Sequence, residues 1–225
     1  MNDLAVSFGG VDARLMARRA IFLPASRTLL VADVHWGKSA AFRAAAIPVP
    51  PGTTSDDLER LSKAIIETGP ARLVILGDLL HAKTWNTKRT HAAVSQWRQR
   101  HARLPIVLVR GNHDLRAGDP TPDLDIECVG QPFTLDGLKL CHQPCEHDGA
   151  YTLAGHIHPC FTLRGAGRQR ERLPCFVLGP RTGMLPAFGS FTGMHRIEPR
   201  AGDRIFPVAQ DVVRAIPALP IAWAR

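Results

Sequence analysis

Thr28-Leu-Leu-Val-Ala-Asp33-Val-His35 runs from an apolar stretch straight into a carboxylate and an imidazole. The chain repeats this arrangement in Leu73-Val-Ile-Leu-Gly-Asp78-Leu-Leu-His81, in Ile106-Val-Leu-Val-Arg-Gly-Asn112-His113-Asp114, and in Tyr151-Thr-Leu-Ala-Gly-His156-Ile-His158. Short apolar runs bounded by turn formers read as buried strands. Just beyond each one stands Asp, Asn or His, the ligand types of hard and borderline metal ions. In an open α/β sheet, ligands gather outside the carboxyl ends of the strands. The four pieces therefore predict one sheet edge carrying a two-metal centre, a device that suits cleavage of phosphate esters.

The intervening segments read as crossovers. Thr54 to Thr68 predicts a helix: Asp56 and Asp57 suit its first turn, Leu58, Leu61 and Ile65 share one face, and Gly69-Pro70 ends it. A second helix fits residues 86–102, with Val94 and Trp97 facing inward. The β-α-β-α-β order up to Asn112 implies right-handed crossovers and parallel strands. Residues 4–8, 11–16 and 20–23, with Gly9-Gly10 as a turn, read as an opening β-meander. Residues 138–142, 151–155, 160–164 and 173–179 are further strands without long helices between them, so the second half is expected to be rich in sheet. Arg164 to Arg172 reads as a hairpin with a basic tip. No domain boundary is visible, and residues 1–225 are expected to form a single domain.

With 225 residues, 45% hydrophobic and 21% charged, the chain reads as globular rather than disordered. Lys and Arg number 28 against 20 Asp and Glu, a net charge of +8. Several of the acids are candidate metal ligands, which favours a polyanionic partner. Most of the cations are arginine, which suits bidentate phosphate contact. The five cysteines are odd in number and include no Cys-x-x-Cys, which argues against a disulfide framework or a zinc ribbon. Cys141-His142-x-x-Cys145-x-His147 offers zinc-ligand types, but in an irregular spacing that argues against a zinc site. The N-terminus lacks the pattern of a signal peptide. No apolar run approaches the roughly 20 residues of a membrane helix, and Pro217 and Pro220 interrupt the apolar segment Ile216 to Ala224. A cytoplasmic protein with no membrane association is expected. The tail 207–225 suggests no role of its own.

Spacing within the motifs assigns tasks. Residues i and i+2 of an extended chain point the same way, so Asp33 and His35 are expected to face one ion. His156 and His158 can face one ion each as the chain turns. Gly77 lets the backbone turn after its strand, and the two oxygens of Asp78 can bridge two cations. Asn112 offers a neutral carbonyl oxygen, and His142, ending Leu138-Lys-Leu-Cys-His142, adds an imidazole.

This ordered set resembles the calcineurin-like metallophosphoesterase superfamily over residues 28–158. The superfamily pattern is Asp-x-His, Gly-Asp-x-x-(His/Asp), Gly-Asn-His-(Asp/Glu), a later His, then Gly-His-x-His, and every position is filled here. The resemblance implies two packed mixed β-sheets flanked by helices, an αββα sandwich. It implies one metal on Asp33, His35 and His158, a second on Asn112, His142 and His156, and Asp78 between them. His113 matches the catalytic His, near the leaving oxygen, with Asp114 expected to orient it and favour its protonated form. Oxygen and nitrogen ligands without thiolate suit Mn²⁺, with Fe and Zn as alternatives.

Gly-Asn-His-Asp rather than Gly-Asn-His-Glu argues against the phosphoprotein phosphatases. His81 resembles the motif of the nuclease branch, typified by the Mre11-like catalytic domains, where it lies by the scissile phosphate. Asp33 to Arg43, Ile47 to Gly52, Leu185 to Gly193 and Gly-His-Ile-His-Pro159 resemble the bacterial ligase-associated DNA-damage-response endonucleases. That likeness implies a phosphodiesterase and endonuclease acting on DNA, single-stranded DNA favoured, in repair. A DNA ligase, a helicase and an exonuclease are its implied partners. Lys38 and Arg43, just after the first metal motif, are expected to meet the phosphate backbone. Trp36 or Phe42 could stack on an unpaired base, and the basic loop at 164–172 could form a second rail. Two alternatives stay open. One is a small-molecule phosphohydrolase acting on a nucleotide, a cyclic nucleotide or a UDP-sugar-lipid pyrophosphate, the last disfavoured by the lack of an apolar amphipathic cap. The other is a binding module that kept the fold without catalysis.

Overall fold

The computed structural model describes residues 2–49, 52–165, 167 and 169–217. Three readings fall partly outside them: Pro50-Pro51 in the Ile47–Gly52 stretch, positions 166 and 168 in the basic tip, and 218–225 of the tail.

The first sheet holds seven strands in sequential order: β1 (Leu4–Phe8), β2 (Val11–Met16), β3 (Ala20–Leu23), β4 (Thr28–Val31), β5 (Arg72–Leu76), β6 (Ile106–Val109) and β7 (Glu127–Val129). Pairings up to β4 are antiparallel and those after it are parallel. The change follows the connections. Tight turns can join only antiparallel neighbours, whereas parallel partners need a crossover. Helices α1 (Lys38–Ala44) and α2 (Thr53–Thr68) supply it between β4 and β5, and α3 (Lys88–Arg100) supplies it between β5 and β6. The Thr87 hydroxyl caps α3 by accepting the Thr90 N–H. A short α4 (Asn112–Ala117) follows β6.

The second sheet comprises β8 (Phe133–Leu135), β9 (Leu138–Leu140), β10 (Thr152–Ala154), β11 (Pro159–Arg164), β12 (Arg170–Leu178), β13 (Thr182–Met184), β14 (His195–Arg196), β15 (Arg204–Ala209) and β16 (Val212–Val213). Its order is β14-β11-β12-β13-β10-β9-β8, with β15 pairing to β12 and β16 to β15. β11 and β12 form the expected antiparallel hairpin, in register from Cys160–Pro174 to Arg164–Arg170.

Alternate residues of β4 to β6 explain why these runs are apolar without a break. Leu30, Val74, Leu76 and Val107 face the second sheet, packing with Leu153, Phe176 and Leu178. Leu29, Val31, Leu73 and Ile75 face the helices, packing with Leu61, Ile65, Val94 and Trp97. Strands covered on both faces lose the polar-apolar alternation of a half-exposed sheet. Each buried side chain of this size stabilises the fold by about 1.5–3 kcal/mol, which pins the strand ends rigidly. The architecture is α/β, two packed mixed sheets flanked by helices. The α-helices precede residue 118, on the side of the first sheet, and among the described residues a small apolar cluster of Cys175, Val177 and Ile205 on the second sheet packs with the partly buried Phe161, Met184, Ile197 and Ile216.

Trp36 belongs to this core. It is 2% exposed and meets Trp97 edge-on at 5.9 Å, so it is unavailable to stack on a base.

Candidate metal centre

The strands stop short of the ligand residues. β4 ends at Val31 and β5 at Leu76, so Asp33, His35 and Asp78 stand in the loops beyond. Their backbones are left-handed, with φ of +55°, +54° and +49°, and so are those of His156 and His158 at +68° and +52°. An L side chain in this region costs about 1–2 kcal/mol, and such strain gathers at functional sites. The extended i, i+2 geometry expected for Asp33 and His35 therefore does not occur. Left-handed turns direct the side chains instead.

Three glycines of the motifs exist for close approach. A Cβ on Gly77 would overlap the His142 ring, one on Gly111 would overlap Asp78 Oδ1, and one on Gly155 would meet Asp33 Oδ2. Gly77 also carries φ +75°, which a side chain resists. Each motif's glycine makes room for a ligand from another motif.

Two donor clusters result. Ligand atoms of Asp33, His35 and His158 lie within 4.8 Å of one another, and so do those of Asp78, His142 and His156. Asp78 touches both: Oδ1 is 3.4 Å from His142 Nε2, and Oδ2 is 3.9 Å from His35 Nε2. Asn112 Oδ1 lies 3.0 Å from His142 Nε2, which is also 3.0 Å from His156 Nδ1. His142 Nδ1–H donates to the Leu76 carbonyl, leaving a lone pair on Nε2. That lone pair faces the Asn112 oxygen, an approach of two acceptors that a cation between them would relieve. His158 Nδ1–H likewise donates to the Gly193 carbonyl and turns Nε2 inward, 3.3 Å from Asp33 Oδ1.

Several of these atoms are buried without a partner: Asp33 Oδ1, both ring nitrogens of His35, and His158 Nε2. A buried polar atom left unpaired costs about 1–3 kcal/mol. Orphans converging from two separate loops fit a divalent ion at the Asp33–His35–His158 cluster, and the facing acceptors His142 Nε2 and Asn112 Oδ1 fit a second beside Asp78. Oxygen and imidazole donors suit borderline or hard metals.

Protonation agrees with ligation. Burial pushes His35 far below the usual imidazole range, helped by Lys38 and the neighbouring histidines. Burial, with His142 beside it, also lowers His156. Neutral imidazole is the ligating form. His158 goes the other way: burial presses it down, but the Asp33 carboxylate and the Gly193 carbonyl prevail and raise it.

His113 and His81 flank the clusters. The His113 N–H donates to Asp78 Oδ1 at 2.9 Å, and its ring Nδ1–H donates to the His81 carbonyl at 2.7 Å. Nε2 is thereby turned toward the centre, 3.9 Å from Asp78 Oδ2. The two rings stack with centroids 5.2 Å apart. Burial, with Lys38 and His113 close by, pushes His81 down to about 4.

Asp114 does not orient the His113 ring as expected. Its oxygens accept the Leu80 and Gly111 N–H groups, each at 2.9 Å, so it fixes the start of α4 and the backbone that carries His113. Burial raises it to about 6 despite those two donors.

Lys38 is half-buried and lines a pocket with His35, Asp57 and Phe191. Burial lowers its pKa, while Asp33 and Asp78 counteract. Arg43 is exposed in the last turn of α1, outside the residues lining that pocket. Phe42 packs edge-on against Phe191 at 5.3 Å and lies 6.1 Å from the His81 ring.

One supporting residue eluded the sequence reading. Asp57 is not merely a first-turn charge. Its two oxygens accept the Ser190 N–H at 3.1 Å, and it pairs with Arg60, which also donates to the Phe188 carbonyl. This anchors the loop whose Gly193 carbonyl holds His158. The signal was its position one residue before Leu58 on the buried face of α2.

Residues 26–174 match the sequence model of the calcineurin-like phosphoesterase family. The crystal structure of a Pseudomonas putida nuclease, MPE, is similar at 43% identity and a TM-score of 0.85, covering 96% of this chain and 100% of that one. A phosphoesterase from E. coli, YfcE, is 14% identical with a TM-score of 0.41, over 84% of this chain and 97% of that one. No curated protein matches the sequence. Among the described residues no helix is long and apolar enough to cross a membrane. The chain belongs to the calcineurin-like phosphoesterase family, which makes it a metal-dependent phosphoester hydrolase.

Proposed function

We propose that this phosphoesterase is a manganese-dependent endonuclease that cleaves DNA phosphodiesters, with single-stranded DNA as the favoured substrate. The observation that carries the reading is the stacked His81–His113 pair beside the Asp78 carboxylate. Its likeness to a nuclease over almost the whole chain supports it.

Asp33, His35 and His158 would hold one ion, Asn112, His142 and His156 the other, with Asp78 between. Bound there, the ions supply an acidified water at neutral pH and neutralise phosphate charge. The chain's own groups do the rest. His113, its Nδ1–H tied to the His81 carbonyl, presents Nε2 to the leaving oxygen and can donate a proton there. His81, neutral at physiological pH, offers a hydrogen bond beside it. Lys38 brings positive charge to the approaching backbone, and Arg43 on the same helix extends that charge outward. Exposed Arg164, Arg170 and Arg172 on the β11–β12 hairpin, which leaves the centre just after His158, continue it. Basic surface in excess of what one phosphate needs suits a polyanion.

The pocket beside His35 and Lys38 has a volume of about 10 Å³, room for roughly one water. A larger cavity of about 260 Å³ opens on the His158 side, lined by Arg19, Arg172 and Ser190, and its two arginines suit a phosphate backbone leaving the centre. A repair role beside a DNA ligase, a helicase and an exonuclease, in the cytoplasm, completes the reading.

Incubation with Mn²⁺ and a circular single-stranded DNA tests it, because a circle has no ends. The wild type is expected to linearise the circle, and added salt to weaken cleavage steeply. Fast turnover of mononucleotide or cyclic-nucleotide esters with the circle left intact would favour the small-molecule alternative.

A further inference from the structure

The connection from β9 to β10 is unusual. The strands are parallel neighbours, and parallel neighbours are ordinarily joined by a crossover of about a dozen residues or more, usually containing a helix. Residues 141–151 make this connection without one, holding a single isolated bridge between His147 and Ala150.

Three donors converge inside that loop. Cys141 Sγ and Cys145 Sγ are 3.5 Å apart. His147 Nε2 lies 3.6 Å from the first and 3.3 Å from the second. A tetrahedral zinc ion with Zn–S of about 2.3 Å and Zn–N of about 2.0 Å sets sulfurs about 3.8 Å apart and sulfur and nitrogen about 3.5 Å apart. The observed triangle agrees to within about 0.3 Å on every edge. The sulfurs stand well beyond a bond of about 2.05 Å, and both thiols are free. A disulfide would also leave unexplained why the imidazole sits against both.

We propose that Cys141, Cys145 and His147 form a zinc site separate from the binuclear centre, which closes the 141–151 loop. Cys145 is exposed, so the fourth position faces solvent. Arg181 engages the nearby carboxylates of Glu146 and Asp148, which leaves that position to water. Thiolate donors select zinc, whereas the oxygen and imidazole donors of the binuclear centre accept manganese. The irregular spacing along the chain is no obstacle, because the loop folds back on itself. Cys141 directly precedes His142, so an ion on one side of that peptide fixes the residue that serves the other. The site is independent of which ester the centre cleaves.

The test uses the full chain, purified reduced and loaded with Co²⁺ as a spectroscopic substitute. Wild type and Asp78→Asn are expected to show thiolate-to-cobalt charge-transfer absorption, and Cys145→Ser to lack it. Metal analysis of the zinc-loaded proteins is expected to find one equivalent fewer in Cys145→Ser than in the wild type. The wild-type absorption needs no variant to fold. Its absence, or its persistence at full strength in Cys145→Ser, would overturn the proposal.

Discussion

Cys141 and His142 are adjacent, yet they serve donor clusters of opposite character. His142 is fully buried and joins oxygens and imidazoles supplied from the ends of covered strands. Cys141 turns to a partly exposed, sulfur-rich triangle on a loop without regular structure. One peptide thus separates donors of different softness. Donor chemistry, more than raw affinity, keeps two metals apart in one chain. The buried cluster is built for reaction, with orphaned atoms and left-handed ligands. The sulfur cluster is built for anchoring.

The widest break in this comparison is Asp78→Asn, which removes the charge facing both halves of the buried cluster. Manganese content and cleavage of the DNA circle are expected to fall to background, while zinc content stays unchanged. Loss of both metals together would mean that the clusters are one unit. His113→Ala comes next. Cleavage is expected to drop about 10²–10⁴-fold with manganese still bound, and a parallel loss of manganese would recast His113 as a structural residue. Gly77→Ala pushes a methyl group into His142 at a left-handed position. A loss of about 2 kcal/mol or more in urea unfolding is expected, together with weaker manganese binding.

Lys38→Ala sharpens the substrate side of the comparison. It is expected to weaken DNA binding and flatten the plot of log K against log salt by about one. An unchanged slope would place Lys38 away from the backbone path. His101, in the helical layer and remote from both clusters, gives the smallest effect. Burial, with Arg100 and Arg98 nearby, lowers its pKa from 6.5, and its Nε2 meets the Ser62 hydroxyl. The unfolded chain then takes the proton more readily, so stability present above pH 6.5 declines as pH falls below it. In His101→Gln the acid side of the urea midpoint profile is expected to be flatter than in the wild type.

Much of the site is legible in the sequence because strand ends advertise it. Asp33, Asp78 and Asn112 follow runs that are apolar on both faces, and such runs end at a sheet edge. Backbone detail is not legible. Nothing in Asp33-Val-His35 marks two left-handed residues, whose strain is borne by the surrounding loops. Asp114 was assigned to its chain neighbour His113, although the backbone N–H groups of Leu80 and Gly111 take both its oxygens. The burial of Trp36 is not legible because its partner, Trp97, arrives from α3, much further along the chain. The cysteine motif was discounted on linear spacing, and only the folded loop brings Cys145 and His147 back over Cys141. Short strands such as β13 and β14 carry too few residues for a period to emerge.

Anomalous diffraction at the manganese edge, from a crystal grown with Mn²⁺, tests the central claim most directly. Two peaks per chain are predicted, one among Asp33, His35 and His158 and one among Asn112, His142 and His156, with an Asp78 oxygen touching each. A map without density beside Asp78, or with a lone ion that leaves His156 and Asn112 unbound, would contradict it.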